Sequence, residues 1–293
     1  MNDYIITTDS GSDIWDELRR EINVGIVHLS TIVNEEEYDG TNKIIPLKEL
    51  YNSMRKGVLT TTSQVNPESA KKFFESYLTQ GLDLIHISLS GQLSGCYNSY
   101  MIALQELKDK YPNRKIKIID SISACLGQGL LVMRAAEQKA QGKTFEEVVE
   151  FIENERHHIF HIFTVEDLVY LQRGARISKK EVIIGSLIGI KPVLSCDSHG
   201  RLISLSKVRG RKNSIISMIE YMEKVIGNSK NEYIAIGHAD CIKDAKLLEK
   251  LIKEKFNIPK VIIAEIGPIV GAHSGPGTLA LFFRANSRLD KKD

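Results

Sequence analysis

The strongest constraint on the fold is an alternation of short apolar runs and helical segments in the first half of the chain. Three apolar, β-branched runs predict buried strands, and each ends in small polar residues: 4–8, 84–89 and 116–119. After them, apolar residues at helical spacing predict helices, such as those over residues 94–107 and 128–140. Buried strands separated by helices form parallel sheets that are covered on both faces. We therefore predict a three-layer α/β/α domain with a parallel sheet over residues 1–155.

Weaker patterns complete this predicted domain. They indicate one further strand and two short helices: 24–31, 13–20 and 47–56. Asn66 and Pro67 have the order of an N-cap and a first helical residue, so they open another helix. Thr144, followed three residues later by Glu147, is a capping box that opens the last helix of the domain.

The pattern changes in the second half of the chain, where strands outnumber helices. Six runs have strand character: 159–164, 193–195, 202–205, 233–237, 261–266 and 279–283. Helical spacing is confined to residues 212–226 and 241–256. We predict a smaller, two-layer α/β domain over residues 156–285, with a mixed sheet and helices on one face. A length of 293 residues also favours two domains, and the absence of a Pro- or Ser-rich linker predicts that they pack closely.

Composition and charge exclude several classes of protein. The net charge of +2 argues neither for nor against a nucleic-acid partner, but no zinc-finger or aromatic RNA-binding pattern is present, so none is expected. The N-terminus lacks the basic and apolar regions of a signal peptide, and no apolar run approaches ~18 residues. We expect a cytoplasmic protein without stable membrane insertion, which leaves transient membrane contact open. The four scattered cysteines predict reduced thiols, and we expect neither a metal nor a cofactor.

Three polar segments predict a pocket for a small anionic group. Residues 88–99 follow a predicted strand and precede a helix, so their hydroxyl and N–H groups point toward one place. Residues 60–64 and 271–278 have similar chemistry. The carboxyl ends of parallel strands meet at one edge of a sheet, where ligands bind. Thr62, Ser94 and the turn N–H groups around Gly95 are candidate donors, although these segments do not name the ligand.

His273 is a candidate functional residue within the third of these segments. Gly271, Gly275 and Gly277 flank it, and glycines let a backbone approach a ligand closely. A histidine held there can pair with an anion or transfer a proton, whereas a lone histidine is more often structural. Ser94 and His273 could also form a hydrolase pair, but no G-x-S-x-G elbow or orienting acid accompanies them.

A compact basic segment lies in the predicted second domain. Residues 207–212 carry four positive charges, two of them on Arg209 and Arg211. Arg173, Arg176 and Arg201 could join them in space. Such a cluster is either a solvated face or a docking surface for an acidic protein or a phosphorylated ligand. No G-x-x-x-x-G-K-[ST] loop or G-x-G-x-x-G turn is present to bind a nucleotide.

Together these motifs resemble the DegV family of bacterial fatty-acid-binding proteins. The resemblance covers nearly the whole chain and rests on these segments in order: Thr8-Asp9-Ser10, Thr62-Ser63-Gln64, residues 90–99 with Ser94-Gly95-Cys96-Tyr97, Asp120-Ser121 with Gly127 and Gly129, residues 170–177, Gly189-Ile190-Lys191-Pro192, Gly200-Arg201-Leu202, residues 207–212 and residues 271–278. Three residues depart from the family pattern. Val65 replaces a proline, Cys96 a threonine, and Ala175 a glycine.

The resemblance implies a two-domain protein that buries one long-chain fatty acid, with its carboxylate near the domain junction. It also implies an acyl carrier that presents this carboxylate to a separate ATP-dependent fatty acid kinase, so the chain is not expected to be a free-standing enzyme. Thr62, Ser94 and Gly95 would bind the carboxylate, and His273 would support phosphoryl transfer. The docking residues would be Arg173, Arg176, Arg201, Arg209 and Arg211. A lipid-sensing regulator and, more remotely, a Ser/His acyl hydrolase are the alternatives.

Overall fold

A computed structural model describes residues 3–177 and 189–288 of the chain. The first half contains β1 (Tyr4–Asp9), a 3-10 turn (Ser10–Ser12), α1 (Asp16–Glu21), β2 (Val24–Val27), β3 (Ser30–Val33), β4 (Glu36–Tyr38), α2 (Leu47–Arg55), β5 (Thr60–Ser63), α3 (Pro67–Leu78), β6 (Asp83–Ser88), α4 (Cys96–Lys110), β7 (Ile116–Asp120), α5 (Leu126–Ala140) and α6 (Phe145–Glu155). The second half contains β8 (Ile159–Thr164), α7 (Val169–Arg173), β9 (Ile190–Cys196), β10 (Leu202–Arg209), α8 (Arg211–Ile226), β11 (Tyr233–His238), α9 (Ile242–Lys255), β12 (Lys260–Glu265), α10 (Pro268–Ser274) and β13 (Leu279–Arg284).

The first sheet is parallel, as the alternating pattern predicts. Its four strands lie in the order β2-β1-β6-β7, and each pairs in parallel with its neighbour. Both faces are covered, because neighbouring residues of one strand enter different cores. Ile5 and Leu84 pack with residues of α3 and α4, whereas Ile6 and Ile85 pack with residues of α5. The predicted α/β/α layering is therefore confirmed.

The second sheet is mixed, which is also confirmed. Its six strands lie in the order β10-β9-β8-β13-β11-β12. Only the pair of β11 and β12 is parallel in this sheet as described, and the other four pairs are antiparallel. Residues such as Ile236 and Leu281 point into a core with α8 and α9. Tyr233 and Phe282 point to the opposite face, toward α5.

Helix α5 lies between the two sheets and joins their cores. Leu130, Leu131 and Val132 are consecutive and all buried, as expected for a helix surrounded by protein on every side. One continuous core contains Ile87 of the parallel sheet and Phe282 of the mixed sheet. The two halves therefore pack closely, as the absence of a linker predicts. The boundary after residue 155 remains a prediction; there the chain passes from α6 to β8.

A third, three-stranded antiparallel sheet is absent from the sequence-based prediction. Its strands lie in the order β4-β3-β5. The single strand predicted over residues 24–31 is wrong, because β2 pairs with β1 while β3 leaves to pair with β4 and β5. The polar segment over residues 60–64, for which no strand was predicted, is also mostly strand, since Thr60–Ser63 pairs with Ser30–Val33.

Several helix boundaries follow the predicted signals and others do not. Asn66 caps α3 by accepting a hydrogen bond from the N–H of Ser69 at 2.8 Å, and Thr144 forms the predicted capping box. The helix predicted over residues 13–20 begins only at Asp16, because Asp13 has left-handed backbone with φ of 54°. His273 lies in helix α10 rather than in a glycine-rich turn. Within residues 3–177 and 189–288, no helix is both long and apolar enough to cross a membrane.

Candidate functional site

Buried carboxylates tie together the turns at the carboxyl edge of the parallel sheet. Asp9 accepts hydrogen bonds from the N–H groups of Gly11 at 3.0 Å and Leu89 at 2.9 Å. Asp120 accepts one from the N–H of Gly91 at 3.1 Å. The predicted gathering of the polar turns after β1, β6 and β7 is confirmed. Burial raises the pKa of Asp9 to about 6, because its hydrogen bonds offset only part of the desolvation.

A cavity of about 170 Å³ opens from this edge between the two halves of the molecule. Its wall is mostly aliphatic and aromatic, and elements of both halves contribute to it: Leu89, Leu93, Phe163, Leu202, Ile269 and Phe282. A cavity of roughly 150 Å³ with such a lining stays dry and binds apolar molecules. This cavity is therefore suited to an apolar ligand.

One end of the cavity is polar, and the predicted residues Thr62 and His273 meet there. Thr62 Oγ1 and His273 Nε2 lie 2.7 Å apart, so strand β5 and helix α10 are joined by a hydrogen bond. Burial, with a smaller effect of the Arg176 guanidinium, lowers the pKa of His273 to about 4. The imidazole is therefore neutral near pH 7, which makes it a hydrogen-bonding group rather than a cation for an anion to pair with.

Ser94 and Gly95 reach the same end of the cavity from the N-terminus of α4. The helix begins at Cys96, two residues later than predicted, with Gly95 as its N-cap. A Cβ on Gly95 would lie 2.0 Å from Gln64 Oε1, so the Gln64 amide packs directly against the glycine at the start of this helix. Ser94 Oγ accepts a hydrogen bond from the N–H of Cys96 at 3.3 Å, and its own O–H is left to donate.

The turn after α7 places a third group at this end. Arg176 N–H donates to the Leu171 carbonyl and Ala175 N–H to the Gln172 carbonyl, both at 2.9 Å, which is the Schellman arrangement of a helix C-terminus. Gly174 must be glycine, since a Cβ there would lie 2.4 Å from His273 Nδ1. The turn thus fixes Arg176 beside His273 in the cavity wall.

Ala175 occupies the position of this turn that favours glycine, with φ of +57°. A left-handed backbone conformation costs a residue with a Cβ about 1–2 kcal/mol, and replacement by glycine removes this cost. Glycine also gives the unfolded chain more conformational entropy, which offsets part of the gain in stability. We expect Ala175→Gly to raise the free energy of unfolding by roughly 0.5–1 kcal/mol, measured by urea denaturation. Ala140→Gly, at the exposed end of right-handed helix α5, is the matched control and should be destabilising. A loss of stability in Ala175→Gly would contradict the inference that the left-handed backbone at Ala175 is strained.

The five predicted docking arginines separate into groups. Arg176 lines the cavity, and its Nε donates to the Leu93 carbonyl at 2.9 Å. Arg173 is exposed and lines a second cavity of about 50 Å³ that His273 also borders. Arg201, Arg209 and Arg211 are not part of either wall.

The environments of these three outer arginines differ. Arg201 Nε donates to Asp197 at 3.0 Å and half of its side chain is exposed, while Arg209 is exposed at the end of β10. Arg211 is mostly buried, with bonds to Asp244 at 2.9 Å and to the Gly277 carbonyl at 2.7 Å. Its guanidinium therefore supports the loop after α10, and Arg209 is the freer of the two for a partner.

The inner wall of the cavity contains residues that the sequence did not indicate. His161 and Phe163 alternate along β8, and Ala280 and Phe282 alternate along the neighbouring β13. This period of two could have been read from the sequence. It was hidden because the residues between them are also apolar and fill the core on the other side of the sheet.

The arrangement around Ser94 and His273 does not resemble an activated serine nucleophile. His273 Nε2 is bonded to Thr62, and Ser94 Oγ is bonded to the backbone of α4. Among the described residues, no carboxylate is hydrogen-bonded to His273. A Ser/His hydrolase needs the histidine on the nucleophile and an orienting group behind it.

Buried histidines predict how acid affects stability. Burial lowers the pKa of His86 to about 3, and His273 behaves similarly. Below about pH 6.5 the unfolded chain binds protons at these side chains and the folded chain does not, so acid favours unfolding. Asp9 and Asp13 act in the opposite direction, because burial raises their pKa values to about 6 and about 7.

Replacement of His86 isolates one of these contributions. We expect His86→Leu to make the slope of unfolding free energy against pH less positive by up to ~1.4 kcal/mol per pH unit between pH 5 and 6. Thr7, which bonds His86 Nδ1 at 3.0 Å, keeps its bond to the Ile85 carbonyl in the variant. Urea titrations at several pH values measure the slope, and equal slopes for both proteins would contradict the assignment.

The fold and the site define an α/β protein with a buried apolar cavity that ends in hydroxyl, imidazole and guanidinium groups. A family model described as "Uncharacterised protein, DegV family" matches residues 4–286. The chain is 39% identical over 289 residues to a DegV domain-containing protein of Clostridium perfringens, which covers 98% of this chain and 99% of that protein. The chain therefore belongs to the DegV family, as its motifs indicated.

Solved structures share the whole fold. A fatty-acid-binding DegV family protein from Thermus thermophilus is 27% identical and superposes with a TM-score of 0.84, covering 97% of this chain and 99% of that one. The fatty acid kinase B3 protein of Streptococcus pneumoniae, solved with linoleic acid, has a TM-score of 0.84 over 97% of this chain and 100% of that one. Its identity is 23%, so this second likeness concerns the fold alone.

Proposed function

We propose that this protein binds one long-chain fatty acid, with the acyl chain in the cavity and the carboxylate at its polar end. The observation that carries the proposal is the division of one cavity into an apolar body and an end lined by Thr62, Ser94, Arg176 and His273. The fatty acid named for the Thermus thermophilus relative supports the same ligand class.

The energetics of such a ligand fit this division. Each buried methylene contributes roughly 0.8 kcal/mol, so a long chain binds tightly without polar contacts along its length. The carboxylate loses its hydration and needs charge-assisted hydrogen bonds in exchange. The Ser94 and Thr62 hydroxyls can donate them, together with the N–H groups at the start of α4 and the Arg176 guanidinium.

We propose further that the bound carboxylate is presented to a separate ATP-dependent fatty acid kinase. A carboxylate oxygen attacks the γ-phosphorus of ATP held by the kinase, the bond to the bridging oxygen breaks, and acyl phosphate and ADP form. In the tautomer that carries its proton on Nε2, neutral His273 donates to Thr62 Oγ1 and so turns the Thr62 hydroxyl hydrogen toward the carboxylate. Two exposed arginines, Arg173 beside His273 and Arg209 on β10, are available to guide the partner.

The fatty acid is the first thing to test. We expect native mass spectrometry of the purified protein to show a co-purified acyl species, because exchange out of a buried cavity is slow. Gas chromatography of the extract then identifies the acid. Protein that carries no acyl species, and takes up neither added oleate nor added palmitate after delipidation, would overturn the proposal.

A further inference from the structure

The inner wall of the cavity contains a polar side chain that the binding of a plain acyl chain does not explain. His161 lines the cavity and is only 3% exposed. Its Nε2 lies 2.6 Å from the hydroxyl of Ser123, which is fully buried behind it. Gly127 makes room for this pair, since a Cβ there would lie 2.4 Å from His161 Nε2 and 2.6 Å from Ser123 Oγ.

The bond to Ser123 satisfies only one of the two ring nitrogens. Among the described residues, no polar atom is hydrogen-bonded to His161 Nδ1. Burial, with a smaller effect of Arg288, holds the pKa of His161 well below its usual range, so the ring is neutral. In either tautomer one nitrogen donates and the other accepts, and the nitrogen left over needs a partner. Nδ1 is not one of the fully buried atoms that lack a partner, so it is open to the cavity, where a ligand group can meet it.

The register of the sheet places His161 beside Phe282, in the stretch of wall formed by β8 and β13. Thr278, Ala280 and Phe282 line the cavity in alternation along β13, so His161 faces the body of the cavity. Its partner Ser123 is linked to the turn that bears Ser94, since Ser90 N–H donates to the Ser123 carbonyl and Ser94 N–H to the Ser90 carbonyl.

We propose that His161 is a specificity-determining residue that hydrogen-bonds an oxygen on the acyl chain. Ser123 is a positioning residue that holds the ring and its tautomer. The ligand class is thereby extended to long-chain fatty acids with a hydroxyl group on the chain. This inference rests on the proposed binding of a fatty acid.

A hydroxyl group is the appropriate probe, because it donates and accepts and so serves either tautomer. We would measure by calorimetry the affinities of delipidated protein for stearate and for stearates with a hydroxyl at carbon 3, 10 or 12. We expect one of these hydroxy acids to bind within a few-fold of stearate. In His161→Leu, the ratio of its affinity to that of stearate should fall about tenfold, since the hydroxyl is then buried without a partner.

Two further variants keep the test decisive. Phe163→Leu changes the same wall two residues away without removing a polar atom, so it should change the affinities for stearate and hydroxystearate in parallel. Ser123→Ala removes the hydroxyl that holds the His161 ring, so it should also lower the affinity for the hydroxy acid relative to that for stearate. This variant replaces His161→Leu in the test if His161→Leu does not fold.

The two proposals fail in different ways. Wild-type protein that binds stearate but discriminates against every hydroxystearate as strongly as His161→Leu would overturn the hydroxyl subsite alone. Protein that binds none of the four acids would overturn the proposed function and the subsite with it.

Discussion

Replacement of Thr62 by valine will weaken fatty-acid binding by ten- to a hundredfold. The variant keeps the shape and the β-branched character of residue 62, so strand β5 retains its pairing with β3. It removes the hydroxyl that we place on the carboxylate, and it leaves His273 Nε2 without its partner at 2.7 Å. A lost hydrogen bond to a charged group costs about 1.5–3 kcal/mol, and 1.4 kcal/mol is tenfold in affinity.

The measurement is calorimetric titration of delipidated protein with palmitate. Thr61→Val is the matched control, because it makes the same chemical change on an exposed neighbour that lines the smaller, second cavity and not the proposed fatty-acid cavity. Ser94→Ala should weaken binding to a similar degree, by one to two decades, through loss of a second donor. An affinity of Thr62→Val within twofold of that of Thr61→Val would refute the place given to the carboxylate.

The parallel sheet could be predicted from the sequence because its strands are buried on both faces. A strand with apolar residues on both sides is visible as an uninterrupted run, whatever it pairs with. Residues 84–89 predicted β6 to within one residue. The edge where the polar turns meet then follows from the topology of parallel sheets. Ser94 was found in this way, whereas Thr62 was indicated by the polar chemistry of residues 60–64, and the structure brings both to one cavity.

Elements that owe their form to distant partners could not be predicted. Thr60–Ser63 is polar, and its strand character comes from pairing with Ser30–Val33, about thirty residues earlier. The glycines around His273 favoured a turn, but Pro268 at the first position and Gly275 after the last enclose one short helix. Clustered glycines occur where two segments pack closely as well as in turns. Here the missing Cβ of Gly271 leaves room for the Tyr51 hydroxyl.

The cavity itself has no local signal in the sequence. The alternation of His161 with Phe163 shows only that they share a face of β8. Whether that face meets a helix or an empty space depends on α5 and α10, which lie far away in the chain. Ala175 is the reverse case: the sequence shows a departure from the family pattern, and the structure supplies its consequence, a strained backbone.

Replacement of His273 by alanine will reduce kinase-dependent turnover at least a hundredfold while fatty-acid affinity falls less than tenfold. The acyl chain supplies most of the binding free energy, and His273 contacts Thr62 rather than the apolar wall. In phosphoryl transfer, positioning of the attacking oxygen is the main contribution that a protein makes. Without the imidazole, the Thr62 hydroxyl is free to rotate away from the carboxylate.

The test combines the protein with a fatty acid kinase catalytic subunit, ATP and palmitate, and measures acyl phosphate formed per bound fatty acid. His273→Gln offers an amide donor in place of Nε2–H and should recover part of the turnover. If His273 acted only through a positive charge, the neutral amide would recover none. Because burial lowers the pKa of His273 to about 4, its neutral form is present throughout pH 6 to 8. The ratio of wild-type to alanine turnover should therefore stay constant over that range.

Full turnover of the alanine variant at saturating fatty acid would show that His273 has no part in the reaction. A ratio that changes sharply near pH 6.5 would show that His273 acts as a titrating base.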